Sequence, residues 1–169
     1  MMSDLKRLVV DVPDFPRAGI LFRDIAPLLR THFEATLDAM DRLFSEQEWR
    51  QIDALAGIEA RGFVLAAGLA GRRRKGFVPI RKQGKLPPPV VSAAYALEYG
   101  NAVLEVQSGG GRLALIDDVL ATGGTMRAAA ELATMAGYQV QGLAALIDLR
   151  LAGDFIWQQL PLRCVIRYD

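Results

Sequence analysis

Leu113-Ala114-Leu115-Ile116-Asp117-Asp118-Val119-Leu120-Ala121-Thr122-Gly123-Gly124-Thr125 is the stretch from which the fold is read. Four apolar residues run without alternation into two adjacent carboxylates, the pattern of a strand buried on both faces of a parallel sheet. Ala, Thr, two glycines and Thr follow, and then a helix-forming run, Met126 to Ala136. Thr122 and Thr125 are candidate caps for that helix. Gly123 and Gly124 allow backbone angles closed to other residues and let an anion approach the main chain. Free N–H groups and the positive end of the dipole make a helix N-terminus a phosphate site. Ligands of open α/β sheets lie beyond the carboxyl ends of the strands. The turn is therefore the expected seat of a phosphate, with two carboxylates just ahead of it. No Lys follows the glycines, so this is not a Walker loop.

Two neighbouring carboxylates repel and need an external partner. A sugar diol can donate to them, and Mg²⁺ takes oxygen ligands in the company of substrate phosphates. A phosphorylated ribose satisfies both halves of the stretch: phosphate at Ala121–Thr125, hydroxyls at Asp117 and Asp118.

The rest of the chain sets the frame. Its 169 residues suit one domain with a sizeable core. Twenty Lys and Arg against nineteen Asp and Glu leave a net charge of +1, which argues against a general nucleic-acid or membrane surface. The single cysteine, Cys164, cannot form an internal disulfide and fits a reducing compartment; its terminal apolar stretch predicts a buried thiol. The apolar stretch Leu8–Val10 is too short for a signal peptide, and no run approaches the ~20 apolar residues of a membrane span. The expectation is a cytoplasmic protein.

A second strand–turn–helix unit runs from Ile52–Ile58 through Glu59-Ala60-Arg61-Gly62-Phe63 into a helix at Val64–Ala70. The arginine at its mouth offers a planar fork of donors suited to a diphosphate. Before it, Phe33, Leu37, Met40, Leu43 and Phe44 predict a helix over His32–Trp49, with His32 a surface or capping residue at its start and Trp49 in a hydrophobic seam. Residues 5–29, with Pro13, Pro16 and Pro27, read as a non-repetitive cover. Gly71–Gly76 reads as a solvated basic helix end. Phe77–Ile80 is a core strand, and a cationic Pro/Gly-rich excursion follows. Val90–Ala96 and Ala102–Val106 pair as a hairpin there, with the makings of a mobile lid. The chain ends in a strand at Gln139–Ile147, a short helix around Phe155–Gln159 and a strand at Cys164–Tyr168.

Asp117-Asp118 with Ala121-Thr122-Gly123-Gly124-Thr125 resembles the 5-phosphoribosyl-1-pyrophosphate (PRPP) motif of the type I phosphoribosyltransferases. Asp14-Phe15-Pro16 with Gly19-Ile20-Leu21-Phe22-Arg23-Asp24-Ile25, and Leu97-Glu98-Tyr99-Gly100, narrow the resemblance to adenine phosphoribosyltransferases. The resemblance implies one α/β domain over 1–169: a mostly parallel sheet of about five strands flanked by helices, an N-terminal hood (1–30) and a flexible lid (81–106). It implies transfer of phosphoribosyl from PRPP to adenine, giving AMP and pyrophosphate in purine salvage. Mg²⁺ would be held mainly by PRPP, with Asp117 and Asp118 nearby, and the chain would be a homodimer. Position by position, Phe22 would stack on adenine while Leu21 and Arg23 read it through main-chain groups, with Leu151 as a wall of the base pocket. Ala60, Arg61, Lys82, Lys85 and Tyr99 would meet pyrophosphate. Arg61 and Glu98 are the implied catalytic residues, and a cis peptide is implied near Glu59–Ala60. Two segments depart from the family pattern, Pro88–Ala94 and Asp148–Asp154. The competing readings are a phosphoribosyltransferase for xanthine or guanine, and a non-catalytic PRPP- or nucleotide-sensing domain.

Overall fold

The computed structural model describes residues 2–97 and 100–168. Helix α1 (Met2–Arg7) leads into an antiparallel ribbon of β1 (Val10–Pro13) and β2 (Leu21–Asp24). Then come α2 (Ala26–Asp41), α3 (Glu46–Arg50), β3 (Ala54–Ile58), α4 (Arg61–Arg73), β4 (Gly76–Lys82), β5 (Val90–Leu97), β6 (Gly100–Gln107), β7 (Gly111–Leu120), α5 (Gly124–Met135), β8 (Tyr138–Asp148), β9 (Ile156–Trp157) and β10 (Leu160–Arg167). The large sheet has the order β5-β6-β4-β3-β7-β8-β10-β9. Its central five strands, β4, β3, β7, β8 and β10, run parallel, as expected. The β5–β6 hairpin and the short β9 extend it antiparallel at either edge, to eight strands.

The unalternating run explains itself in section. Leu113 and Leu115 face a core built with Ala129, Leu132 and Leu143, while Ala114 and Ile116 face the opposite core with Leu65, Leu69 and Leu146. All four are 1% exposed or less. With helices on both faces, each Leu or Ile contributes roughly 1.5–3 kcal/mol by burial, whichever way it points. Helix α4 lies directly on β3 and β7. A Cβ at Gly57 would stand 2.9 Å from Ala66 Cβ, and one at Gly62 would stand 2.9 Å from the Ile116 carbonyl and 3.0 Å from Asp117 Oδ1. The two glycines thus let the start of α4 reach the carboxyl ends of the strands.

Several elements differ from the sequence reading. Helix α2 begins six residues before His32: Asp24 Oδ1 accepts the Ala26 N–H at 2.9 Å, and Pro27 sits in the first turn, where its missing N–H costs nothing. His32 lies at a kink inside α2 (φ −136°, ψ 36°) rather than at its start. The helix ends at Asp41, and α3 starts afresh from a capping box in which Ser45 and Glu48 exchange hydrogen bonds. Trp49 is 2% exposed and donates to the Asp41 carbonyl at 3.1 Å, as a seam residue should. The basic end of α4 is not merely solvated. Arg73 bridges Asp41 and Glu46 at 2.5 and 2.8 Å with its guanidinium over Trp49, and Arg72 pairs with Asp38. No helix forms at 155–159; β9 turns into β10 through Gln158 (φ 44°) and Gln159 (φ 69°), left-handed at both positions as a type I′ turn requires. Cys164 is half-buried rather than buried, with Arg167 Nε 3.2 Å from its sulfur. Residues 5–29 form α1 and the ribbon instead of irregular cover.

Candidate active site

Strand β7 runs on to Leu120, so Asp117 and Asp118 lie within it, and Asp117 Oδ1 accepts the Asp118 N–H at 2.9 Å. Asp117 opens into a cleft of about 280 Å³ lined by Ala121–Thr125, Arg17, Leu97, Val119, Leu120 and Met126. The N-cap of α5 is Gly123, at φ 88°, which carries no side chain to occupy the helix amides. The expected capping by Thr122 and Thr125 is corrected accordingly: Thr122 precedes the cap and Thr125 stands inside the first turn. A Cβ on Gly123 would strike the Phe155 ring at 2.5 Å, whereas one on Gly124 would meet only ordinary contacts, 3.6 Å from the Ala96 carbonyl. The first turn of α5 therefore presents main-chain N–H groups to the cleft.

Beside the two carboxyls stands Arg61, at the start of α4. Its Nε is 2.7 Å from Oδ2 of Asp118, which is 7% exposed. The pair is close but not aligned as a hydrogen bond, so Arg61 Nη1 and Asp118 Oδ2 are buried with no hydrogen-bond partner among the described residues. Buried donors and acceptors in that state favour a ligand that satisfies them. The guanidinium also lies over the Phe22 ring at 4.6 Å, and Phe22 meets Phe15 edge-on at 5.1 Å. The ribbon thereby faces the ends of β3 and β7. Asp117 donates no charge freely to this arrangement. Burial of its carboxyl, and then the neighbouring Asp118 charge, push its pKa well above the usual carboxylate range.

Glu59–Ala60 is a cis peptide, at the position the resemblance implied. Beside it, Glu59 Oε2 accepts the Lys82 N–H at 2.8 Å and faces Arg81 Nε at 3.3 Å. Lys82 ends β4 and Lys85 lies in the turn that follows. Pro88–Pro89 is cis, and β5 then pairs with β6 in unbroken register from Val90, so the atypical Pro88–Ala94 segment builds a regular strand. Leu21 is 47% exposed on the ribbon. Arg23 pairs with Asp11 and stacks over Tyr168 at 4.0 Å. Leu151 is 67% exposed in the turn after β8 and does not line the cleft. Glu98 and Tyr99 lie outside the described residues; Leu97, just before them, borders the cleft. Among the described residues no group of three or more His, Cys, Asp or Glu could hold a metal ion. Sequence reasoning missed Arg17, in a segment read only as non-repetitive cover, and Glu59 and Glu105, whose roles appear only once strands distant in sequence are paired.

A model of the phosphoribosyl transferase domain matches residues 33–165. The adenine phosphoribosyltransferase of Hydrogenovibrio crunogenus is 52% identical over 159 residues, covering 94% of this chain and 92% of that one. This chain belongs to the adenine phosphoribosyltransferase family. The crystal structure of the Rhodothermus marinus adenine phosphoribosyltransferase superposes with a TM-score of 0.89 at 38% identity, over 99% of this chain and 98% of that one. That of the Saccharomyces cerevisiae enzyme, complexed with adenine and an imino-altritol bisphosphate, superposes with a TM-score of 0.84 at 32% identity, over 97% of each chain. The adenine phosphoribosyltransferase fold thus extends through the hood ribbon and the hairpin as well as the central sheet.

Proposed function

We propose that this chain transfers the 5-phosphoribosyl group of PRPP to adenine, giving AMP and pyrophosphate in purine salvage. The observation that carries the reading is the pairing of two strand ends, one offering open helix amides beside Asp117 and the other Arg61 against Asp118. The yeast relative's adenine complex supports adenine as the base.

The chemistry follows from where charge develops. As a base nitrogen of adenine forms its bond to the ribose C1, the C1–O bond breaks and pyrophosphate departs with the electron pair. The base nitrogen loses a proton. Arg61, Lys82, Lys85 and main-chain Ala60 suit the growing negative charge on the leaving group, with Tyr99 closing over it. Asp117 and Asp118 suit the ribose hydroxyls and the cationic sugar, and Ala121–Thr125 the 5′-phosphate. Phe22 would stack on the base while Leu21 and Arg23 read its amine and ring nitrogens through main-chain groups. Glu98 is the candidate to receive or orient the proton. The hairpin of residues 81–106, closing as a lid, would hold the reacting groups together and keep water from the sugar.

The donor set fits Mg²⁺ held chiefly by substrate oxygens: carboxyl oxygens of Asp117 stand beside a phosphate loop, the one-or-two-carboxylate arrangement that ion uses. When bound, the ion would neutralise the leaving pyrophosphate. A homodimer and a cytoplasmic setting belong to the same proposal, the latter supported by the free thiol of Cys164.

The test is AMP formation and pyrophosphate release from PRPP and Mg²⁺ with adenine, guanine, xanthine, hypoxanthine and orotate in parallel. Adenine alone should react. Reaction only with a 6-oxo-purine, whose hydrogen-bond pattern at that position is reversed, would overturn the reading of the hood. PRPP binding without turnover of any base would make the chain a sensor.

A further inference from the structure

Among the described residues of the hairpin, Glu105 is the buried acid. It sits in β6 between Leu104 and Val106, themselves 2% and 0% exposed, and is 3% exposed itself. A carboxylate in that position needs full hydrogen-bond compensation. It finds it in one place. A single oxygen, Oε1, accepts the main-chain N–H of Lys85 at 2.8 Å and that of Leu86 at 2.7 Å. Those N–H bonds, Leu86 foremost, hold its carboxyl below the usual range, so it stays charged and the bonds stay charge-assisted. The strand register brings it there: Glu105 stands opposite Arg81 where β4 and β6 pair. The other end of the same turn is gripped from just beyond β3, where Glu59 accepts the Lys82 N–H at 2.8 Å. Between the two grips the chain reverses at Gly84, φ 83°.

We propose that Glu105 is a positioning residue for phosphoribosyl transfer, acting through the main chain of the Lys82–Leu86 turn to set the approach of Lys85 to the pyrophosphate of PRPP. This rests on the proposed function. Glu105 offers no atom to the substrate. Its carboxylate fixes the backbone from which Lys85 reaches, and Glu59 fixes the backbone of Lys82. A flexible ammonium on a long stem is a poor anchor unless its Cα is held, and a displacement of about 1 Å at such a group costs up to a hundredfold in rate. One oxygen accepts both N–H groups, so the carbonyl of a glutamine can replace it geometrically.

The experiment compares wild type, Glu105→Ala, Glu105→Gln, Lys85→Ala and the double variant Glu105→Ala/Lys85→Ala in steady-state kinetics, with amide hydrogen exchange at Lys85 and Leu86. Glu105→Ala should raise KM for PRPP about tenfold or more, leave KM for adenine within about twofold, and deprotect both amides. Glu105→Gln should recover most of the loss. In the Lys85→Ala background the Glu105→Ala effect should largely vanish, because the two act as a unit. Unchanged KM for PRPP in Glu105→Ala, or effects that multiply in the double variant, would overturn the role. If Glu105→Ala does not fold, Glu105→Gln decides: it must keep both amides protected and KM for PRPP near wild type, and a large rise in that KM with both amides still protected overturns the proposal. A wild type inactive with PRPP and every base would instead refute the proposed function.

Discussion

The molecule ends two of its parallel strands in opposite ways. At the β7–α5 turn, Gly123 caps the helix and the first-turn amides face a cleft. At the β3–α4 turn, the cap is Ala60 and the functional group is a side chain, Arg61, ion-paired to Asp118 and stacked on Phe22. Helix α3 supplies the contrast, because Ser45 and Glu48 occupy its N-terminal amides completely enough to form a capping box. An uncapped helix start beside a cleft is a binding surface, and a capped one is a structural joint. Main-chain recognition suits a phosphate that stays attached throughout the reaction. A guanidinium suits a diphosphate whose charge grows as it leaves.

Substitutions can break this division of labour. Arg61→Ala should have the largest effect, a loss of about a thousandfold in kcat/KM with the domain still folded by circular dichroism; near-normal turnover would remove Arg61 from the chemistry. Gly123→Ala comes next. Its Cβ would meet the Phe155 ring at 2.5 Å at a left-handed φ, so a stability loss of about 3 kcal/mol is expected in urea unfolding. Gly124→Ala separates the ligand's needs from the fold's. Among the described residues its methyl group meets only ordinary contacts, so stability should hold while KM for PRPP rises about tenfold, because the methyl would crowd an anion at the main chain. If KM stays at the wild-type value, the loop is not a phosphate cradle.

Two further changes sharpen the comparison through stability. Asp117 titrates above the ordinary carboxyl range when folded. Ionisation therefore favours the unfolded chain, and stability falls as pH rises from the ordinary Asp value through the folded one. Asp117→Asn should remove that penalty, raising Tm near neutral pH by roughly 2–4 °C, the equivalent of about 1 kcal/mol in a chain of this size, with the gain fading in acid. A gain that persists unchanged at low pH would contradict the assignment. Ser45→Ala, at the capped helix, should cost only about 0.5–1 kcal/mol and leave kinetics untouched.

The sequence carried the parallel core well, because Leu113–Ile116 is apolar toward both faces and needs helices on each. It carried the β7–α5 loop for the same local reason: the glycines and the carboxylates are contiguous. What it hid was non-local. The grip of Arg73 on Asp41 and Glu46 joins α4 to α2 and α3, and no pattern in Gly71–Gly76 announces it. The β9–β10 turn uses Gln158 and Gln159 at left-handed angles without the Asn or Gly that normally mark such a turn. The start of α2 was masked by Pro27, which breaks a helix interior but suits a first turn. Gly123 and Gly124 look alike in sequence, and only the Phe155 ring tells them apart.

The most direct test of the two-ended site is calorimetric binding of ribose 5-phosphate and of Mg-pyrophosphate, measured separately on wild type, Arg61→Ala and Gly124→Ala. The expected result is a crossed pattern: Arg61→Ala loses pyrophosphate and keeps ribose 5-phosphate, while Gly124→Ala does the reverse. Both variants losing both ligands equally, or the pattern appearing inverted, would contradict the assignment of one phosphate to each strand end.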